Sequence, residues 1–393
     1  MNKAALLPKT QPKNFGFGDD EMALRDVAAK FFADNLATQT LHQLIAANSN
    51  PAAGDESHWS RDLWQQIVDL GWLTIPIPES AGGLDMSAVA AATLVEQAGL
   101  AALPGPLLPT FNTSYVLRHC DSDNATSAMQ DIVRGEAASL ATSNHFGSWD
   151  ANETEVTLRA GCLNGTAWFV QDPQKVKHLL VAAKDQDELA LIWLPANSPG
   201  VSIHPDTIID LTRDQGRVVL ENVEIFEDQV MAHGAVAGAA MVKALPAMLV
   251  LISADICGAA EWQLQTTSEY ARTRKQFDHN IGFFQAVKHP LVEFMVALDL
   301  ARSHLYNAAC AIDSEPDTAL AYAHMAKSAA NDAAAFGSKK SIQLHGGIGF
   351  TWECFVHIYM KRQMHNQVLL GDASYHRARL AQLLLKKEGN TST

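Results

Sequence analysis

Apolar positions divide the chain into three stretches with different periods. From Asp19 to about Arg134, Ala23, Val27, Phe31 and Phe32 recur at helical spacing, as do Leu63, Ile67 and Leu70 ahead of a stop at Gly71. Pro76-Ile-Pro-Glu-Ser-Ala-Gly-Gly83 is a turn-rich interruption, and Ser87 to Gln97 is expected to be helix again. From about Ala137 to Asp228 the apolar runs become short, β-branched and aromatic: Glu155–Leu158, Ala167–Val170, Leu179–Ala182, Ala190–Trp193 and Arg217–Leu220. Asn164-Gly165 carries the signal of a two-residue hairpin loop. No helices intervene, so the strands predict an antiparallel, barrel-like sheet and not a doubly wound parallel one. From about Met231 the helical period returns over Ala244–Gln276, Phe284–Ser314, Asp317–Gln343, Thr351–Leu370 and Ala373–Lys387, with links short enough for a bundle. The expected fold class is α+β, with an N-terminal helical domain (1–135), a middle antiparallel β-barrel-like domain (136–230) and a C-terminal four-helix bundle domain (231–393).

Composition narrows the function classes. The 393 residues are 48% hydrophobic and 18% charged, enough for two or three domains with real cores. A formal net charge of −14 gives no basic field for nucleic acid, although a local Arg/Lys cluster can still hold a small anion. Five scattered cysteines without a Cys-x-x-Cys pair argue against zinc and disulfides and suit a reducing cytoplasm. Met1–Pro8 carries no apolar core of leader length, and the first arginine is Arg25. Ala244–Ala260, the most apolar stretch, is interrupted by Pro246 and Asp255 and reads as a core helix, not a membrane span.

Two segments carry chemistry. In Tyr270-Ala-Arg-Thr-Arg-Lys-Gln-Phe277, Arg272, Arg274 and Lys275 fall within one expected helical turn, with Phe283-Phe284-Gln285 soon after. Such a cluster is usually a solvated helix end, but cations beside aromatics also hold a pyrophosphate and pack on a ring system. In Gln343-Leu-His-Gly-Gly-Ile-Gly-Phe-Thr-Trp-Glu353 the glycines follow a helix, so the dinucleotide fingerprint fails for want of a preceding strand. What remains is a helix cap with a tight turn, or a backbone that a cofactor approaches closely, with Gln343 as amide donor and Thr351 opening the next helix.

The order of these motifs on a helix–sheet–helix plan resembles the acyl-CoA dehydrogenase family over the whole chain, Pro78-Glu79-x-x-Gly82-Gly83 included. The resemblance implies FAD as cofactor, an acyl-CoA thioester as substrate and an electron-transfer flavoprotein as acceptor. It implies that Arg274, Phe277, Gln285, Gln343, Gly346 and Gly347 reach across a subunit interface to a neighbour's FAD. The family reaction is α,β-dehydrogenation: a partly desolvated carboxylate takes the α-proton while the β-hydrogen leaves as hydride to the flavin.

The chain departs from that pattern where the base should be. The family's glutamate segment corresponds to Leu369-Leu370-Gly371-Asp372, with Leu370 at the carboxylate position, and the alternative site on the preceding helix corresponds to Met248. Neither accepts a proton. Asp372 reads as the N-cap of Ala373–Lys387, Glu261 as a polar-face residue, Glu353 as a first-turn acid and His345 as a loop residue or an adenine contact. The family's flavin loop is represented by Thr142–Ser148, and its Trp-Ile-Thr strand by Phe169-Val170-Gln171 or one residue earlier, without the threonine. Contacts to the chain's own flavin look eroded and those to a neighbour's intact. The expectation is a hetero-oligomer (α2β2) in which a related subunit carries the glutamate, acting on a steroid-derived or alicyclic acyl-CoA. Three alternatives stand beside it: a self-sufficient homotetramer using Asp372 or Glu261, a flavin monooxygenase on the same fold, and a purely structural subunit.

Overall fold

The computed structural model describes residues 14–46 and 59–389; Met1–Pro8, read above for a leader, lies outside them. The helices are α1 Asp19–Asn35, α2 Thr38–Ala46, α3 Arg61–Asp69, α4 Ala88–Leu100, α5 Leu107–Leu117, α6 Asp123–Val133, α7 Gly234–Thr273, α8 Gln285–Ser314, α9 Pro316–His345, α10 Val356–Val368 and α11 Ala373–Gly389. The strands are β1 Ala138–Ala141, β2 Thr157–Arg159, β3 Cys162–Gln171, β4 His178–Asp185, β5 Glu188–Pro195, β6 Val201–Pro205, β7 Gln215–Glu224, β8 Val230–His233, β9 Lys275–Gln276 and β10 His279–Asn280. The described residues divide into two compact units, 14–34 with 87–101 and 249–389, and 35–46 and 59–86 with 102–248; the division falls inside α7, between Met248 and Leu249.

The sheet belongs to the second unit and runs β6-β7-β3-β2-β4-β5-β8 without closing. Most neighbours are antiparallel, as the strand pattern implies, but β1 and β2 share one side of β4 and pair with it in parallel. The expected uniform antiparallel pairing is therefore mixed at that point. The short β1 and β2, four and three residues long, occupy successive registers along β4: Ala138–Ala141 against His178–Val181, and Thr157–Leu158 against Lys184–Asp185. Both faces of β4 and β5 are buried from Leu179 to Ala183 and from Leu189 to Leu194, which explains why they read as continuous apolar runs. Helix α5 docks on β1 through Thr110, whose hydroxyl accepts from Ala138 N at 3.1 Å.

The hairpin signal at Asn164-Gly165 is overridden. Both residues lie inside β3, and the turn falls at Ala160-Gly161, each with positive φ (49° and 77°). Gly165 instead serves a bulge, where a Cβ would stand 2.4 Å from Glu155 O.

The first unit is built on helix packing. Helices α4 and α7 cross at Gly99 and Gly258, where a Cβ would lie 2.3 Å from Asp255 O and 1.9 Å from Glu96 O respectively. Helix α9 packs on α8, α10 and α11, and a Cβ on its Gly337 would lie 2.1 Å from the Phe294 ring of α8. Helix α7 is long and apolar enough to cross a membrane by composition alone, yet Leu249–Ala260 is buried throughout, as expected of a core helix.

Candidate functional site

The expected helical turn containing Arg272, Arg274 and Lys275 does not form. Helix α7 ends at Thr273, whose hydroxyl donates back to Glu269 O at 3.0 Å. The chain then folds into a two-stranded ribbon, with Gln276 opposite His279 and Lys275 opposite Asn280. Its loop residues, Phe277 and Asp278, have φ of 51° and 62°, as a type I′ turn requires. Ile281 N donates to Arg274 O at 2.8 Å and Asn280 Nδ2 to Arg272 O at 2.7 Å, which fixes the ribbon on the helix end.

A left-handed backbone costs a phenylalanine roughly 1–2 kcal/mol. Nothing in the chain repays it through burial, because the Phe277 side chain is 84% exposed. Its ring meets Phe284 edge-on at 6.2 Å, and His279 stacks on Phe283 at 4.3 Å. Arg274 and Lys275 are exposed with no ion pair among the described residues, whereas Arg272 lies 3.7 Å from Glu269. Gln285 opens α8 at the end of the same segment and is exposed.

The second segment sits at the same end of the first unit. Tyr270, one turn before Arg274, stacks on His345 with ring centres 4.4 Å apart. His345 is buried, and burial pulls its pKa below the usual histidine value; its Nδ1 lies 2.8 Å from Ser341 O as the donor. The stack and the bond make His345 an internal support at the end of α9. Gln343 is exposed on the last turn of α9. Gly346 has φ 65° and ψ −144°, a conformation for glycine. A Cβ on Gly346 or Gly347 would meet nothing within 4 Å, whereas Gly349 is packed against His345 and Ile342. Residues Gly346–Phe350 form a 3-10 turn, closed by Thr351 Oγ1 donating to Ile348 O at 2.9 Å. Thr351 therefore ends that turn and does not open a helix, and Glu353 precedes α10, which begins at Val356. Arg274, Phe277, Gln285, Gln343, Gly346 and Gly347 are all exposed, and the Tyr270–His345 stack ties together the two segments that carry them.

The carboxylates near the base positions are engaged internally. Asp372 is exposed, and its Oδ1 accepts from Tyr375 N at 2.7 Å, the N-cap bond of α11. Glu261 takes Arg302 Nη1 at 2.6 Å, and the same guanidinium bonds Glu96 at 2.6 Å, where Tyr306 also donates at 2.6 Å. Leu370 is half-buried in a left-handed turn (φ 59°), and Met248 is buried.

The second unit brings together the two segments read as a worn flavin cradle. Trp168 N donates to Ser143 O at 3.0 Å. Asn144 Oδ1 accepts from Phe146 N and Ser148 N at 3.0 and 3.1 Å, turning the loop on itself. Glu155 accepts Trp168 Nε1 at 3.0 Å and pairs with His145. Phe169 sits at φ 54° in a bulge of β3, and Gln171 Nε2 donates to Phe169 O and Gln215 Oε1 at 2.9 and 3.0 Å. Asn144, Trp168 and Gln171 are thus bonded within this unit, whereas Phe146 is exposed. The bulge at Phe169 carried no glycine or proline signal and was not legible in the sequence.

Two family models match: the N-terminal domain of acyl-CoA dehydrogenases over residues 18–136 and their C-terminal domain over residues 238–385, between them more than half of the chain. Acyl-CoA dehydrogenase IpdE2 of Mycobacterium tuberculosis is 28% identical over 341 residues, covering 84% of this chain and 91% of the relative. The Tcur3481-Tcur3483 steroid acyl-CoA dehydrogenase structure is 26% identical with a TM-score of 0.83, covering 95% and 99% of the two chains. The ChsE4-ChsE5 complex from Mycobacterium tuberculosis shares the fold at a TM-score of 0.83 and 23% identity, covering 94% and 98%. These matches, with the outward Arg274–Gly347 edge on the expected architecture, make this chain a member of the acyl-CoA dehydrogenase family.

Proposed function

We propose that this chain is the base-less subunit of a hetero-oligomeric acyl-CoA dehydrogenase, lending Arg274, Phe277, Gln285 and the Gln343–Gly347 loop to FAD bound by a related subunit that carries the glutamate. FAD is the cofactor of the family, and the residues present suit it: an unpaired guanidinium and ammonium for a diphosphate, exposed aromatic rings for a planar system, and two glycines open to close approach. Bound there, the flavin supplies a hydride acceptor for the substrate's β-hydrogen. Arg274 and Lys275 would hold the diphosphate, and Phe277 would pack against the cofactor. The α-proton would go to the partner's carboxylate, since Leu370 and Met248 have no group that accepts one.

The observation that carries the proposal is the pairing of inert base positions with an edge whose glycines and cations no contact inside the chain requires. The relatives support the finer points. One is the Tcur3481-Tcur3483 steroid acyl-CoA dehydrogenase, and another is the ChsE4-ChsE5 complex. On that ground the acyl group is a steroid-derived or alicyclic one. The acceptor is an electron-transfer flavoprotein. Five free cysteines suit a cytoplasmic location.

Arg274→Glu in the co-expressed complex tests the proposal. Reversing one charge-assisted diphosphate contact is expected to lower flavin content more than about tenfold, with the thermal midpoint of the isolated chain unchanged. Stoichiometric FAD and acyl-CoA desaturation by the isolated chain would overturn it. The homotetramer reading is disfavoured by the helix cap on Asp372 and the Arg302 pair on Glu261; under it, Asp372→Asn abolishes turnover. A flavin monooxygenase would consume oxygen with reduced flavin. A structural subunit would show unchanged flavin content in the Arg274→Glu complex.

A further inference from the structure

The turn that carries Leu370 is gripped from inside by groups that the proposed chemistry leaves unused. After α10 ends at Val368, Leu370 has φ 59° and Gly371 φ 111°. A left-handed leucine persists only where its surroundings over-determine it. Here α9 and α11 do so. Lys327 of α9 is fully buried, with Nζ 3.0 Å from Asn366 O, 3.4 Å from Gln367 O, 3.3 Å from Gly371 O and 2.8 Å from Asn331 Oδ1. Asn331 Nδ2 donates to Gln367 O at 3.3 Å, and His376 Nε2 of α11 to Gly371 O at 3.1 Å.

The other titratable groups here are His324 and His376, whose Nδ1 atoms stand 2.8 Å apart. Two facing ring nitrogens share one proton, so His324 donates and His376, already donating through Nε2, accepts as a neutral ring. Burial pulls His324 down to about 4, with Arg379 adding to it; burial, then Lys327 and His324, pull His376 down to about 3. Arg377 is spent on Asp332 and Ser328. Burial brings Lys327 down to about 7 against the pull of Asp372, which caps α11. Around neutrality Lys327 is the member of this cluster that changes charge. Its ammonium offers three donors to four acceptors; the neutral amine offers two donors and turns a lone pair toward a carbonyl.

We propose that Lys327 is a proton-operated latch on the turn Val368–Asp372, binding the carbonyls at the end of α10 when charged and releasing the Leu370 turn when neutral. The latch does not depend on the shared-flavin reading and is testable on the isolated chain. Amide hydrogen exchange of residues 369–373, each rate divided by its intrinsic rate at the same pH, is followed from pH 6 to 9. Protection is expected to fall about tenfold across that range, the size of one hydrogen bond to a charged group. Asn331→Asp sets a carboxylate against Nζ and moves the fall at least about one pH unit higher. Lys327→Met gives low protection with a flat profile; should that variant fail to fold, Asn331→Asp alone decides. A flat wild-type profile, the same fall retained in Lys327→Met, or an unmoved midpoint in Asn331→Asp would each overturn the latch.

Discussion

Two parts of the first unit treat polar groups in opposite ways. Where α4, α7 and α10 meet, Asp255 is bonded by Arg362 Nε at 3.0 Å, Arg362 Nη2 at 2.5 Å and Asn366 Nδ2 at 2.6 Å, all buried, and Gly99 and Gly258 are there because backbone fills the space a Cβ would need. At the Arg274–Gly347 edge Arg274 and Lys275 are exposed without carboxylate partners among the described residues, and Gly346 and Gly347 face open space. The first pattern is explained entirely by the chain. The second is what the proposed contact with a neighbour's FAD would explain. Glycine and arginine thus mean opposite things a few turns apart, and the surroundings decide which.

The contrast breaks first at Asp255. Asp255→Ala strands a buried guanidinium and is expected to cost about 3–5 kcal/mol in denaturant unfolding; a loss below about 1 kcal/mol would mean that the interior network is not what it looks like. Gly258→Ala drives a methyl into Glu96 O and should cost about 3 kcal/mol. Gly347→Ala, on the other side of the comparison, should leave stability within about 0.5 kcal/mol while lowering flavin retention in the co-expressed complex. Equal stability losses in the two glycine variants would erase the distinction.

A smaller effect sharpens the comparison in the second unit. Burial, then the neighbouring Asp172, raises the Asp214 carboxyl to about 6, against Lys175 and the backbone N–H groups of Gln174 and Gln215. The folded state keeps a proton that the unfolded chain releases, so stability falls as pH rises from roughly 4 to 6. Asp214→Asn removes the buried charge and should stabilise the protein by about 1–3 kcal/mol at pH 7, with the gain vanishing below about pH 4. Thermal midpoints across pH 4–8 check it; a variant less stable at pH 7 would show that Asp214 is needed ionised.

Much of the architecture was legible because burial imposes periodicity. The stop at Gly71, the helix start beside Ser87 and the apolar runs of β4 and β5 fall where the pattern puts them. The ribbon at Arg274 was not legible: Phe277-Asp278 lacks the Asn-Gly or Gly signature of a type I′ turn, and Arg, Lys and Gln favour helix. Asn164-Gly165 misled in the opposite sense, because Glu155 lies across the strand from Gly165 and turns a hairpin signal into a bulge. The parallel pairing of β1 and β2 with β4 depends on strand order, which local pattern does not encode.

The sequence by itself determined the class of fold, the family and the absence of a proton acceptor at Leu370 and Met248, since side-chain chemistry and periodicity are properties of the chain. Only the tertiary structure decided which charges were already spent. Asp372 and Glu261 are held by a helix end and by Arg302, and the carbonyls behind Leu370 are held by Lys327, while Arg274 and the glycines of 346 and 347 are left facing outward. Whether a polar group serves the fold or a ligand depends on which neighbours satisfy it, and those neighbours lie far away in the chain.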